Sequence, residues 1–128
     1  MHPRLLPRPL YSSGEEHGDS AYVRPFWKAL YRANSEVVLS GHDHDYERFA
    51  PQDPYGTLDR QRGIRQFVVG TGGAHLRPFG TIRSHSRVRN ATAYGVLKLR
   101  LHAEGYGWKF VSVAGETFTD SGKSACHQ

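Results

Sequence analysis

Glu36-Val37-Val38-Leu39-Ser40-Gly41-His42-Asp43-His44-Asp45-Tyr46-Glu47-Arg48 is the stretch on which the reading of this chain turns. Its first five residues form a short, mostly apolar run closed by a glycine, the pattern of a buried strand that stops at a tight turn. Two histidines at i and i+2 follow at once. Beyond a strand end the two-residue alternation relaxes, so both imidazoles are free to turn toward one centre. Neutral imidazole is a good ligand for zinc, iron and manganese, and an acidic neighbour such as Asp43 or Asp45 is placed to orient a ring through its second nitrogen. A bare His-x-His pair is also common on protein surfaces that bind no metal, so the surrounding sequence has to decide.

Upstream, Val23, Phe26, Trp27, Leu30 and Tyr31 recur at helical spacing, and Pro25 sits early, where its missing N–H is tolerated; residues 20–33 are therefore predicted to form one amphipathic helix. Residues 1–18, rich in Pro, Gly, Ser and Glu, read as an irregular loop. Downstream, residues 51–63 read as a surface loop, and residues 64–69 as an apolar, β-branched strand. That strand runs into Gly70-Thr71-Gly72-Gly73, a turn whose glycines permit positive φ and close backbone approach, read here as structural. After another long loop, residues 94–101 and 107–113 predict two strands joined as a hairpin near Gly105, and Thr117-Phe118-Thr119 a short last strand. The predicted class is mixed α/β (α+β), β-rich with one clear helix, in a single domain over residues 1–128.

The 128 residues suit one domain, and 38% apolar with 23% charged residues fits a folded chain rather than a disordered one. A net charge of +5 favours anionic partners in a general way. The basic residues are spread out, however, with one concentration at Arg77, Arg83, Arg87 and Arg89 in a region that reads as a solvated loop. Without interleaved aromatics it predicts no specific nucleic-acid partner. No run approaches the roughly 18 apolar residues of a membrane span, and Met1 to Arg8 lack an apolar signal core, so neither a membrane partner nor an export signal is expected. Cys126 is the only cysteine, which excludes an intrachain disulfide and leaves the compartment open.

The wider string Gly41-His42-x-His44-x-Tyr46-Glu47-Arg48, set behind an apolar strand, resembles the last metal-binding motif of the calcineurin-like metallophosphoesterases, the purple acid phosphatases in particular. Arg8-Pro9-Leu10-Tyr11-Ser12-Ser13-Gly14, Phe26-Trp27, Phe67-Val68-Val69-Gly70-Thr71-Gly72-Gly73, Tyr94-Gly95-Val96-Leu97-Lys98-Leu99 and Phe118-Thr119-Asp120-Ser121 fall in that family's order. The resemblance implies the C-terminal half of a metallophosphoesterase β-sandwich. There, two metal ions (iron, zinc or manganese) lie between opposed sheets, bridged by an aspartate and a hydroxide, and promote hydrolysis of a phosphoester substrate. By the match, His42 would bind one ion and His44 the other, while Tyr46, Glu47 and Arg48 support the loop, Arg48 by pairing a carboxylate. His17 falls where related phosphatases carry a histidine near the leaving group, which implies a general acid; beside Glu15, Glu16 and Asp19 it reads equally as an exposed loop histidine. His75, His85, His102 and His127 match no motif and are expected at the surface.

The chain departs from the family's pattern elsewhere. Of the five sequence blocks that build the dimetal centre only the last is intact, and register puts Pro7, which has no ligand atom, in the place of the family's lone histidine. His2 would substitute only if the leading segment loops back. The expectation is therefore a fragment of a metal-dependent phosphoesterase, inactive as an isolated chain; the competing reading is a non-catalytic binding module that keeps half of the scaffold. With half a sandwich missing, one face of the sheet carrying Val37 to Leu39 and Phe67 to Val69 is expected to be an uncovered apolar patch, available to a second copy of the chain.

Overall fold

Val37 and Val38 are adjacent in one strand, so their side chains leave on opposite faces, yet both are fully buried. The sheet that holds them is covered on both sides. In the computed structural model, which describes residues 3–127, a five-stranded mixed sheet contains β1 (Arg4–Leu6), β2 (Val37–Ser40), β3 (Tyr46–Phe49), β4 (Arg65–Val69) and β5 (Ser86–Asn90) in the order β1-β2-β4-β3-β5. A second sheet, β6 (Gly95–His102), β7 (Gly105–Ser112) and β8 (Ser121–Ala125), is an antiparallel meander. One α-helix, α1 (Arg24–Arg32), follows a turn of 3-10 helix at Ala21–Val23.

The layers follow from the two faces of the central strands. Val38, Val68, Phe49 and Ile64 pack with Leu10, Tyr11, Val23 and Trp27, so the helix and the N-terminal segment cover one face. Val37, Tyr46 and Phe67 pack with Tyr106, Trp108 and Phe110, so the second sheet covers the other. The β6–β7 hairpin thus covers Val37 and Phe67, on the face expected to be bare, from within the chain, while Leu39 and Val69 stay half-buried beside an open apolar groove.

The predicted helix and the strands through Val37, Phe67, Leu97 and Trp108 are present within a few residues of their expected bounds. Four strands were not expected. Residues 4–6, read as loop, form β1 by pairing in parallel with β2 from Arg4↔Val38 to Leu6↔Ser40. Tyr46–Phe49 is β3 rather than an extension of the histidine loop, and the supposed solvated loop around Arg87 and Arg89 contains β5, an edge strand antiparallel to β3. Residues 117–119 form no strand; Phe118 packs into the core between the sheets, and the last strand, β8, begins at Ser121.

The rest of the N-terminal segment has no regular structure but is fixed by buried polar side chains. Gln66, fully buried on β4, accepts from the backbone N–H groups of Leu10 and Tyr11 at 3.2 and 3.3 Å. Glu47, fully buried on β3, accepts from Ser13 N–H at 2.8 Å and from the Ser86 hydroxyl at 2.6 Å. Irregular backbone next to a core is tolerated when its hydrogen bonds are supplied this way. The result brings residues 12–17 alongside the loop that follows β2.

Candidate functional site

The turn after β2 is tighter than its sequence implies. Asp43 N–H donates to the Gly41 carbonyl at 3.0 Å, closing a three-residue turn with His42 at its centre. His42 accordingly has φ 72°, in the left-handed region where a non-glycine residue is strained by about 1–3 kcal/mol. Behind the turn, a Cβ on Gly70 would lie 1.8 Å from the Asp43 carbonyl oxygen and 3.0 Å from the His44 Cα. Gly70 N–H also donates to the Asp45 carbonyl at 2.9 Å, so the first glycine of the turn after β4 buttresses the histidine loop from below. Gly72 and Gly73 face open space, and Thr71 is buried with its hydroxyl on the Gly95 carbonyl at 2.8 Å, which ties the turn to the start of β6.

Each histidine of the loop is held differently. His42 Nε2 is buried and has no hydrogen-bond partner among the described residues. Its ring stacks on that of His17, with centroids 4.0 Å apart and planes inclined by 29°. Burial first, and then the charges of His17 and Arg8, lower the proton affinity of His42 below that of an ordinary histidine, so the ring favours its neutral, ligating form. His44 Nδ1 lies 2.8 Å from the His75 carbonyl oxygen; donation to that carbonyl places the proton on Nδ1 and leaves Nε2 free. Neither Asp43 nor Asp45 orients a ring, contrary to expectation. Asp43 accepts from the Ser12 hydroxyl. The Asp45 carboxyl is buried with neither oxygen partnered, and burial, with Glu47 and Asp43 nearby, pushes its pKa up to about 8.

The fit to a metal is partial. A free Nε2 on His44 and a buried, unpartnered Nε2 on His42 are suitable donors. Among the described residues, however, no three His, Cys, Asp or Glu side chains gather in a way able to hold a metal ion. The carboxylates closest in sequence are otherwise engaged or lie alone, as Asp43, Glu47 and Asp45 show. Two imidazoles fall short of the four donors of a closed site or the three of a catalytic one. Pro7 is exposed in the structure, and His2 lies outside the described residues.

No protein-family model matches the chain, and no curated protein matches it in sequence. Solved structures do. A purple acid phosphatase, PPD1, from yellow lupin (Lupinus luteus) seeds superposes with a TM-score of 0.75 at 22% identity, over 98% of this chain and 25% of that one. The chain shares its fold with part of a purple acid phosphatase. GAP50, the anchor in the inner membrane complex of Plasmodium, superposes with a TM-score of 0.74 at 24% identity, over 95% of this chain and 35% of that one. The chain therefore spans a quarter to about a third of these neighbours, and at such identities the likeness is one of fold.

Away from the loop, Arg48 pairs with a carboxylate as the resemblance implied, and the partner is Asp120. Arg48 Nε donates at 2.7 Å and Nη2 at 3.1 Å, while the Tyr46 hydroxyl donates to the same carboxylate at 2.7 Å. The exposed His75 contributes its backbone carbonyl to the site, which no sequence signal could reveal. His102 is exposed as expected, whereas His85 is half-buried. His127, expected at the surface, is tucked against Glu36 at 3.3 Å and the Gly63 carbonyl at 3.1 Å.

Proposed function

We propose that this chain carries part of a metal-dependent phosphoesterase site, acting on a phosphomonoester or phosphodiester. In this reading His42 and His44 each bind one ion of a dinuclear iron, zinc or manganese centre, which supplies Lewis-acid polarisation of the phosphoester when bound. His17, held against His42 and open to solvent, is the general acid for the leaving group. The observation that carries the reading is the buried, unpartnered Nε2 of His42 on a strained residue, since strain and unsatisfied polar atoms concentrate where a ligand is to be bound. The fold shared with a purple acid phosphatase supports it. Further donors are required, so the chain alone is expected to hydrolyse an aryl phosphate no faster than background.

Zinc titration of the chain by calorimetry tests the assignment. The expected result is weak binding that His42→Ala and His44→Ala each abolish. Unchanged binding in both variants overturns the ligand roles; nanomolar affinity in the wild type overturns the incompleteness of the shell.

A non-catalytic binding module is the second reading, favoured by the absence of three converging donors among the described residues and by the fold shared with a protein described as an anchor. Stability separates the two. A ligand that binds only the folded state raises the thermal midpoint, increasingly as its concentration exceeds Kd, so zinc stabilises the chain on the first reading and leaves it unchanged on the second.

A further inference from the structure

Lys98 on β6 and Lys109 on β7 stand directly opposite each other, a like-charge pairing that destabilises a sheet. Arg100 lies two residues along on the same face, opposite Gly107, and Lys123 flanks Gly107 from β8. All four cations are exposed, as is His102 beyond Arg100. The intervening residues Leu97, Leu99, Tyr106, Trp108 and Phe110 belong to the core between the sheets, so strand alternation drives every cation to the outer face. That face forms a groove of about 730 Å³, opened at its centre by Gly107, and no Asp or Glu lines it. The ion pairs of the described residues engage Arg48, Arg77, Arg83 and His127, and none of these four cations.

The same face ends in aliphatic side chains. Val96 and Val111 are paired across β6 and β7 and are 60% and 41% exposed. Val96 also lines an adjoining apolar groove of about 500 Å³ with Leu39 and with Leu5, which is 78% exposed. A nucleic-acid backbone would use the cations and leave these side chains bare, and the nearest aromatics able to stack on bases, Tyr106 and Trp108, belong to the core between the sheets. An anionic bilayer uses both: headgroup phosphates and carboxylates meet the cations, and the aliphatics enter the boundary between headgroups and acyl chains.

We propose that the outer face of β6, β7 and β8 is a peripheral docking surface for an anionic lipid bilayer. It uses no residue of the histidine loop and is independent of the phosphoesterase reading. The lack of a long apolar run, from which no membrane partner was expected, speaks only to a spanning helix; the fold assembles this surface from three separate segments.

Flotation of the whole chain with phosphatidylcholine vesicles, with and without phosphatidylserine, tests the proposal. Binding is expected only with phosphatidylserine, weakening as salt is raised, with each cation removed lowering affinity roughly fivefold. Lys98→Gln/Arg100→Gln/Lys109→Gln/Lys123→Gln is expected to lose binding. Arg32→Gln/Arg60→Gln/Arg62→Gln/Arg87→Gln, which removes the same charge elsewhere, is expected to keep it, and Val96→Ser/Val111→Ser to weaken it. The single Lys109→Gln variant relieves the opposed lysine pair, so it retains the fold and still reads the fivefold loss. No flotation with phosphatidylserine, equal loss in the two quadruple variants, or an unchanged Lys109→Gln overturns the proposal. Duplex DNA binding as strong as vesicle binding, with the valine variant unaffected, overturns it in favour of a general polyanion surface.

Discussion

His17 lies flat against His42, 4.0 Å from ring centroid to ring centroid, although the two residues belong to an irregular segment and a strand-end turn far apart in sequence. Buried ring and nearby charges together hold His42 below ordinary histidine basicity, burial being the larger cause. In an NMR titration of the histidine rings, His42 is expected to titrate below an ordinary histidine. His17→Ala should raise its pKa without restoring the ordinary value, because burial remains. An unshifted His42 in the variant would remove His17 from its environment.

The strain at His42 gives a second expectation. Glycine adopts φ 72° without penalty, so His42→Gly should be more stable than His42→Ala by about 1 kcal/mol, in line with the usual cost of a left-handed non-glycine residue. Both variants should lose zinc binding. Urea unfolding of the two reads the difference, and equal stabilities would mean that the turn relaxes in the variants.

Asp45 makes the stability of the metal-free chain depend on pH. Its folded pKa, about 8, lies above the ordinary 3.8, so the folded state holds a proton that the unfolded chain releases first. The contribution is fully present below about pH 4 and is lost as pH rises toward 8, on the order of 6 kcal/mol over the whole range at about 1.4 kcal/mol per unit. Asp45→Asn keeps the neutral shape and should flatten this part of the profile. A wild-type midpoint in urea that does not fall between pH 5 and 8 would contradict the raised pKa.

Asp120 joins the two sheets through Arg48 and Tyr46. Burial alone would raise its pKa, but donation from Arg48 and Tyr46 outweighs this and holds it below the usual carboxylate range. Asp120→Ala strands the Arg48 guanidinium, whose side chain is 14% exposed, and should destabilise by about 3–5 kcal/mol, as removal of one partner of a buried pair does. Thermal unfolding of the variant checks this. A loss below about 1 kcal/mol, the scale of a surface pair, would show that the pair is solvated.

Gly70 and Gly72 lie in one turn, and only Gly70 should be sensitive to alanine. A methyl group on Gly70 meets the Asp43 carbonyl at 1.8 Å, whereas one on Gly72 meets nothing within 4 Å. Gly70→Ala should destabilise by at least about 1–3 kcal/mol, the range for an overpacked site, and weaken zinc binding by displacing the loop; Gly72→Ala should do neither.

The elements legible in the sequence share one property: their apolar pattern is decided locally. Val37 and Val38, Phe67 and Val68, and the alternating Leu97, Leu99, Tyr106, Trp108 and Phe110 announce strands, as Trp27 and its helical neighbours announce α1. The missed strands lack such a pattern. Glu47 and Arg48 look like surface residues, and β3 buries Glu47 through Ser13 and Ser86 and pairs Arg48 with Asp120, partners at least 34 residues away. β5 and β8 are edge strands rich in Ser, Arg, Lys and Gly, whose pairing is set by β3 and β7 rather than by their own side chains.

Sequence alone determined the class of the fold, the helix, the central strands and the two histidines of the loop after β2, because hydrophobic periodicity and residue chemistry act over a few neighbouring positions. Only the tertiary structure decided that the central sheet is covered on both faces, that His17 meets His42, that Asp43 turns to Ser12 while Asp45 stays unpartnered, and that four cations converge on one face of the second sheet. These depend on contacts between segments distant in the chain, and such contacts are fixed by how the layers close over one another rather than by any local run of residues.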